Sequence, residues 1–383
     1  MRRIKVLSVF GTRPDTIKLA PVVNELSKYP HLIDSVTCGT AQHREMMDQV
    51  LSVFGISPDY DLGVMRDDQT LFDIAERGLR GLREVLERER PDVTLVHGDT
   101  STAFVGALAS FYCKVKVGHV EAGLRTNQKY DPFPEEMNRR LVGCLSDLHF
   151  APTSEHLGNL LRENFPRSNI YVTGNTVVDA VLAVAATRTG FVDTQLASID
   201  FTGRRLVLVT AHRRENIGEP LQAICAAVRD VLRDFPDTMA VMPVHPNPRV
   251  QSMVFRELSG VERCYLIDPV SYPDMVGLMQ KCFMVMTDSG GLQEEAPALG
   301  KPVLVLRRTT ERPEGLRAGT LKLAGVSREG IRTQAGILLS NTEKYRQMAE
   351  SPNPYGDGQA SRRIVSGILH HFGMVDERPA DFA

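Results

Sequence analysis

The chain has 383 residues, more than one compact core comfortably holds, which points to two domains. With 42% hydrophobic and 24% charged residues and a net charge of −2 at pH 7, it has ordinary globular composition and no basic footprint for nucleic acid. No stretch approaches the roughly 20 apolar residues of a membrane span. The six cysteines (38, 113, 144, 225, 264 and 282) form no CxxC pair, so neither a zinc ribbon nor a disulfide framework is indicated. Met1-Arg2-Arg3 imitates the start of a signal peptide, but the apolar run behind it is too short, and a cytoplasmic protein is expected.

In chain order, residues 4–10 read as a buried strand, followed by the turn Gly11-Thr12-Arg13-Pro14 and an amphipathic helix over 16–29. That places Arg13 in a loop at the carboxyl end of a strand, where open α/β sheets bind ligands, with Lys18 about one turn further on. Further strands are expected at 35–38, 93–97, 115–117, 148–151 and 170–173, and helices at 44–54, 71–88, 102–111, 134–146 and 154–164. Beyond them, strands fit 206–210, 239–243, 265–267, 283–287, 302–306 and 321–323. The helices between these fit 220–235, 249–258, 272–281, 292–299 and 328–339. Such alternation implies parallel sheets covered by helices on both faces, that is, an α/β protein of two doubly wound Rossmann-like domains facing across a cleft. The least patterned stretch, 186–203, reads as the link. The domains are then 1–185 and 186–359, with the helical run from 360 returning to the first.

Polar residues gather where strands end. Asp288-Ser289-Gly290-Gly291 follows an apolar run and opens a helix. A Gly-rich helix start offers unpaired N–H groups and the positive end of the dipole to a phosphate. Glu294 and Glu295 follow, placed to accept ribose or sugar hydroxyls or simply to complement the dipole. Gly98-Asp99-Thr100 ends another strand, where Asp99 can serve either as a helix cap or as a functional carboxylate. Glu121, near Gly118 and Gly123 just past a strand, has little structural reason to be there and favours function. Glu135 and Glu136 open a helix and diverge by about 100°, so only one of them can face a given ligand. His212, followed by Arg213 and Arg214, and His245 end neighbouring strands and suit anion or sugar contacts; no HExxH or close His/Cys spacing supports a metal. A Walker Lys-Ser/Thr pair and a GxGxxG fingerprint are both missing, which disfavours nucleoside triphosphate or NAD chemistry.

The segments FGTRPDTIKLAP, TAQHREMMDQVL, VHGDTSTAF, VGHVEAGLRT, PFPEEMNRR, GNTVVDA, TAHRREN, PVHPNP, TDSGGLQEEAPALGKPVLVLRRTTERPEG and NPYGDGQAS run through nearly the whole chain. On them the sequence resembles the non-hydrolysing UDP-N-acetylglucosamine 2-epimerases. The resemblance implies the GT-B-type fold of many nucleotide-sugar glycosyltransferases and an isomerase working without an added cofactor or metal. It would interconvert UDP-N-acetylglucosamine and UDP-N-acetylmannosamine by losing and regaining UDP through a glycal, supplying N-acetylmannosamine for surface polysaccharide. A homodimer is also implied, with no nucleic-acid or membrane partner. Carried over residue by residue, Asp99, Glu121 and Glu135 are the acid–base carboxylates and His212 a catalytic or diphosphate group. Arg13, Ser289, Gly290 and Gly291 hold the diphosphate, with Lys18 beside them. Glu295 takes the ribose, Arg312 the UDP side, and Met275 stands where an aromatic residue would meet the uracil. Gln42, His43, Gln69, Glu136, Arg213 and His245 match a site at which bacterial relatives bind a second substrate molecule as activator. Glu45 and Asp68 depart from that pattern, and Asp68 sets repulsion against a diphosphate. A hydrolysing epimerase, a glycosyltransferase and a non-catalytic UDP-sugar sensor are the competing readings.

Overall fold

The computed structural model describes residues 2–40, 44–64, 69–187 and 190–383, apart from the side chains of 44–46. It divides into Met1–Ala180 with Gly356–Ala383, and Val181–Tyr355, against 1–185 and 186–359 read from the sequence. The division falls inside a helix, Thr176–Thr187, that has no counterpart among the expected elements.

The first unit holds β1 (Ile4–Phe10), β2 (Ile33–Gly39), β3 (Tyr60–Asp61), β4 (Val93–His97), β5 (Lys116–Val120), β6 (Leu148–Ala151) and β7 (Ile170–Val172). They form a parallel sheet in the order β3-β2-β1-β4-β5-β6-β7. β1 is apolar almost throughout because both faces are covered. Val6 and Phe10 join a core with Leu19, Val22 and Leu26, whereas Leu7 and Val9 point the other way, to Leu82, Val85 and Leu86. The helix Ala360–His371 adds Ile364, Val365, Ile368 and Leu369 to the first of these cores.

Two local departures from expectation bear on the site. The helix after β1 begins at Arg13, not at 16, because Asp15 accepts from the Thr12 backbone at 2.6 Å and from its hydroxyl at 2.8 Å, closing the first turn. Arg13 is therefore the first residue of a helix and not part of a loop. β5 runs on through Gly118 and His119, which resemble turn residues. Gly118 is instead a packing requirement in the middle of the sheet, since a Cβ there would lie 2.7 Å from Leu95 Cδ2.

The second unit holds β8 (Arg205–Thr210), β9 (Thr238–Pro243), β10 (Cys264–Ile267), β11 (Met284–Thr287), β12 (Val303–Val305) and β13 (Leu321–Leu323), parallel in the order β10-β9-β8-β11-β12-β13. Its core packs Val207, Val209, Met284, Met286 and Leu304 against Leu221, Ile224 and Val228 of one helix and Ile331, Ala335 and Leu338 of another. Each unit is thus doubly wound. In each, the order reverses beside the first strand, between β1 and β4 and between β8 and β11, the topological switch points where such sheets bind ligands. Among the described residues, no helix is long and apolar enough to cross a membrane.

Candidate active site

At the switch point of the first unit the loop after β5 carries Glu121 with φ 64°, a left-handed conformation that costs a residue with a side chain about 1–2 kcal/mol. Its carboxylate is nearly buried. It is ion-paired with Lys18, accepts from Asn175 Nδ2 at 3.1 Å, and lies 3.3 Å from His97 Nε2. Burial pushes the Glu121 carboxyl up, but Lys18 and then His97 outweigh it and hold the group well below the usual carboxylate range. It is therefore an ionised carboxylate in an enclosed setting. Lys18 lies one turn into the helix opened by Arg13, and His97 closes β4, so both neighbours come from the elements that flank the switch point.

Asp99, just beyond β4, is held by Arg139, whose Nε is 3.1 Å from Oδ2 and whose Nη2 meets the same oxygen. The other arm of Arg139 reaches Glu136 at 3.1 Å. Glu136 is fully buried and accepts from the backbone of Thr126 (3.0 Å) and Asn127 (3.2 Å) and from Arg140 Nε (3.1 Å). Burial raises the Glu136 carboxyl, yet these donors and the arginines bring it below its ordinary value. Its oxygens accept from the loop on both sides, so in this structure Glu136 braces Arg139 and, through it, Asp99. Glu135 and Arg13 are half-buried, and among the described residues neither side chain makes a hydrogen bond or ion pair.

In the second unit the turn after β11 lies beside the loop after β8. Asp288, fully buried, accepts from the backbone of His212 and Arg213, both at 2.8 Å, and from Asn216 Nδ2 at 2.9 Å. Ser289 precedes the helix Gly290–Ala298 but makes no capping hydrogen bond, so the helix start keeps its donors. A Cβ on Gly290 would lie 3.5 Å from Arg213 Nη2 and 3.6 Å from Arg312 Nη2. Two guanidinium groups therefore stand over a bare helix N-terminus, an arrangement suited to an anion of high charge. Arg312 is anchored by an ion pair with the buried Glu294, and its carbonyl accepts from the Tyr355 hydroxyl at 3.2 Å. Glu295 is buried on the same helix, and Met275 is half-buried on the helix Tyr272–Lys281. The rings of His212 and the exposed His245 stack at 5.2 Å with 13° between their planes.

Of the residues matching the activator site, Gln42 and His43 lie outside the described residues, as does Asp68, and the side chain of Glu45 is likewise not described. Gln69 is half-buried just before the helix Leu71–Glu89. Neighbours of the candidate residues that the sequence did not single out are His97, Asn175, Arg139 and Asp288; the first two sit in VHGDT and GNTVVDA, whose strand-end placement was the available signal. Among the described residues, no group of three or more His, Cys, Asp or Glu is gathered closely enough to hold a metal ion.

Two Rossmann-type sheets, each with charged residues collected at its switch point, define an α/β protein of the GT-B glycosyltransferase type. The family profile of UDP-N-acetylglucosamine 2-epimerase matches residues 24–369. The UDP-N-acetylglucosamine 2-epimerase of Bacillus subtilis is 50% identical over 382 residues, covering 100% of this chain and 99% of its own. A solved Neisseria meningitidis UDP-GlcNAc 2-epimerase bound to UDP-GlcNAc is 47% identical, with TM-score 0.88, over 96% of this chain and 100% of the other. The S. aureus MnaA–UDP structure is 45% identical, with TM-score 0.89, over 99% and 100%. The chain belongs to the UDP-N-acetylglucosamine 2-epimerase family and is an enzyme of the isomerase class.

Proposed function

We propose that the protein interconverts UDP-N-acetylglucosamine and UDP-N-acetylmannosamine by eliminating UDP and adding it back. The proton on carbon 2 of the sugar has no neighbouring carbonyl to acidify it. As the bond from carbon 1 to the UDP oxygen stretches, positive charge at carbon 1 acidifies that C–H. A carboxylate takes the proton, the bond electrons form the carbon 1–carbon 2 double bond of a glycal, and UDP departs with the C–O pair. Return of UDP to carbon 1, with a proton delivered to the opposite face of carbon 2, completes inversion. Product as UDP-N-acetylmannosamine would feed surface polysaccharide synthesis, and the same family resemblance supports a cytoplasmic homodimer.

The observation that carries this reading is Glu121, a carboxylate kept ionised in an enclosed site by Lys18, in a loop whose backbone sits in an unfavourable conformation to present it. Asp99 and Glu135 are the remaining acid–base candidates. Ser289, Gly290, Gly291, Arg213 and Arg312 supply donors for the departing diphosphate, where charge develops most. Incubation with UDP-N-acetylglucosamine in deuterated water, read by NMR, tests the proposal. Both epimers should appear with deuterium at carbon 2, without added metal or NAD. Free UDP and N-acetylmannosamine accumulating at equilibrium would mean hydrolysis instead. Glu121→Gln should abolish the exchange while largely keeping UDP binding.

A further inference from the structure

Asp288 divides its two oxygens in an unusual way. Oδ2 takes all three donors, the backbone N–H groups of His212 and Arg213 and the amide of Asn216. Oδ1 is enclosed, and among the described residues it has no hydrogen-bond partner. A buried acceptor left in that state costs about 1–3 kcal/mol, so its persistence calls for a reason. It lies 3.5 Å from Nδ1 of His212. The His212 side chain is 34% exposed, with one ring face against His245.

We propose that Asp288 is a positioning residue: its spare oxygen keeps the proton of neutral His212 on Nδ1 and steadies the imidazolium, leaving Nε2 to meet the diphosphate of UDP. The inference deepens the reading above and rests on it for the identity of the anion. No covalent step is involved. When the anion binds, Nε2 takes up a proton from solvent, and the imidazolium so formed donates Nε2–H to a diphosphate oxygen, so that the negative charge gathering on departing UDP is matched by a cation backed by a carboxylate.

The groups around the ring agree with this role. Burial is the largest influence on His212 and disfavours its charged form, and His245 and Arg213 add to that; Asp288 is the group that opposes them. Together they hold His212 below its ordinary value, so the resting ring is neutral and Asp288 is the one group that favours its charged form. Arg213 is itself tied to the turn, with Nε donating to the Asp288 carbonyl at 3.4 Å. One aspartate thus fixes the loop after β8 through Oδ2 and addresses the imidazole through Oδ1.

Asp288→Asn separates these two duties. The amide oxygen can still accept from the loop, but the NH2 group now donates toward Nδ1 and should drive the proton of His212 to Nε2. The measurement is long-range proton–nitrogen correlation NMR on imidazole-labelled protein, with the His212 signals assigned by their disappearance in His212→Gln. Wild type should show the Nδ1–H form and Asp288→Asn the Nε2–H form, with kcat lower by about a hundredfold. Asn216→Ser, which loosens the same loop without touching Oδ1, should keep the wild-type tautomer. An Nε2–H form in the wild type would overturn the proposal even if Asp288→Asn failed to fold. So would a switched tautomer with unchanged kcat, or a switched tautomer in Asn216→Ser. If the tautomer behaves as expected but the wild type incorporates no deuterium at carbon 2, the epimerase reading fails while the Asp288–His212 pairing stands.

Discussion

Replacing Lys18 by Met should destabilise the first unit chiefly because of what it leaves behind. The Lys18 and Glu121 side chains are 12% and 11% exposed, so the pair is close to fully desolvated. Removing one partner of a buried ion pair costs about 3–5 kcal/mol, because the other charge stays buried. Here Asn175 at 3.1 Å and His97 at 3.3 Å remain beside Glu121, which puts the expected loss near the lower end, about 3 kcal/mol. Lys18→Met combined with Glu121→Gln leaves no uncompensated charge and should lose only about 1 kcal/mol, a coupling of roughly 2 kcal/mol plus whatever Glu121→Gln costs alone. The effect depends on pH with a definite sign. In the wild type Glu121 is held below its ordinary value of 4.5, so its stabilisation is complete above that pH and is lost only as pH falls through the depressed folded value. In Lys18→Met burial is opposed mainly by His97, the carboxyl rises, and protonating it relieves the buried charge. The gap between the two proteins should therefore be widest at neutral pH and should close as pH drops below 4.5. Urea titration read by pulsed hydrogen exchange on peptides of the first unit measures both quantities. A coupling under about 0.5 kcal/mol, the range of exposed pairs, or a gap that does not vary with pH, would refute the claim that Glu121 is an enclosed, ionised group.

Two further substitutions separate binding from stability in the second unit. Gly290→Ala introduces a Cβ that meets the Arg213 and Arg312 guanidinium groups at 3.5 and 3.6 Å, ordinary contact distances, so melting temperature should hardly move. The methyl group would nonetheless occupy the space over the helix start, and UDP affinity by calorimetry should fall about tenfold, near 1.4 kcal/mol. Tyr355→Phe removes a hydroxyl that accepts from Gly315 N at 3.0 Å and donates to the Arg312 carbonyl at 3.2 Å, inside a residue only 2% exposed. Stability should drop by about 1–2 kcal/mol in urea, with a weaker UDP complex as Arg312 loses its brace.

Much of the sheet framework was legible because buried parallel strands are short apolar runs set between helical spacings, and β1, β4, β6 and β13 begin and end where their residues suggest. The failures share a cause. Gly118 and His119 carry turn chemistry in isolation, yet they lie in mid-strand because a neighbouring leucine requires the glycine and the Gly98 carbonyl, 2.7 Å away, engages the histidine. β3 has two residues, too few to show a period, and exists because β2 offers it an edge. Thr176–Thr187 is apolar without a break from Ala180 to Ala186, so no amphipathic stripe announces a helix. In each case tertiary contact supplied what local pattern lacked.

The site divides along the same line. Positions at strand ends were readable, since the topology of a doubly wound sheet sends them to one edge, and that suffices to select Arg13, Asp99, Glu121, His212 and Ser289 from the sequence. What a strand end cannot announce is which oxygen meets which donor. Glu135 and Glu136 look alike in sequence, but a step of about 100° around the helix makes Glu136 the buried anchor of Arg139 and leaves Glu135 without a side-chain partner among the described residues. Asp288 looked like a turn residue, and only its asymmetric hydrogen bonding shows an oxygen held back for His212. Carboxylates that satisfy the fold on every lone pair have nothing left for a substrate, whereas those with a committed and an uncommitted side can do both. Counting unspent acceptors is therefore a sharper guide to function here than counting charges, and by that measure Asp288 belongs with the working residues.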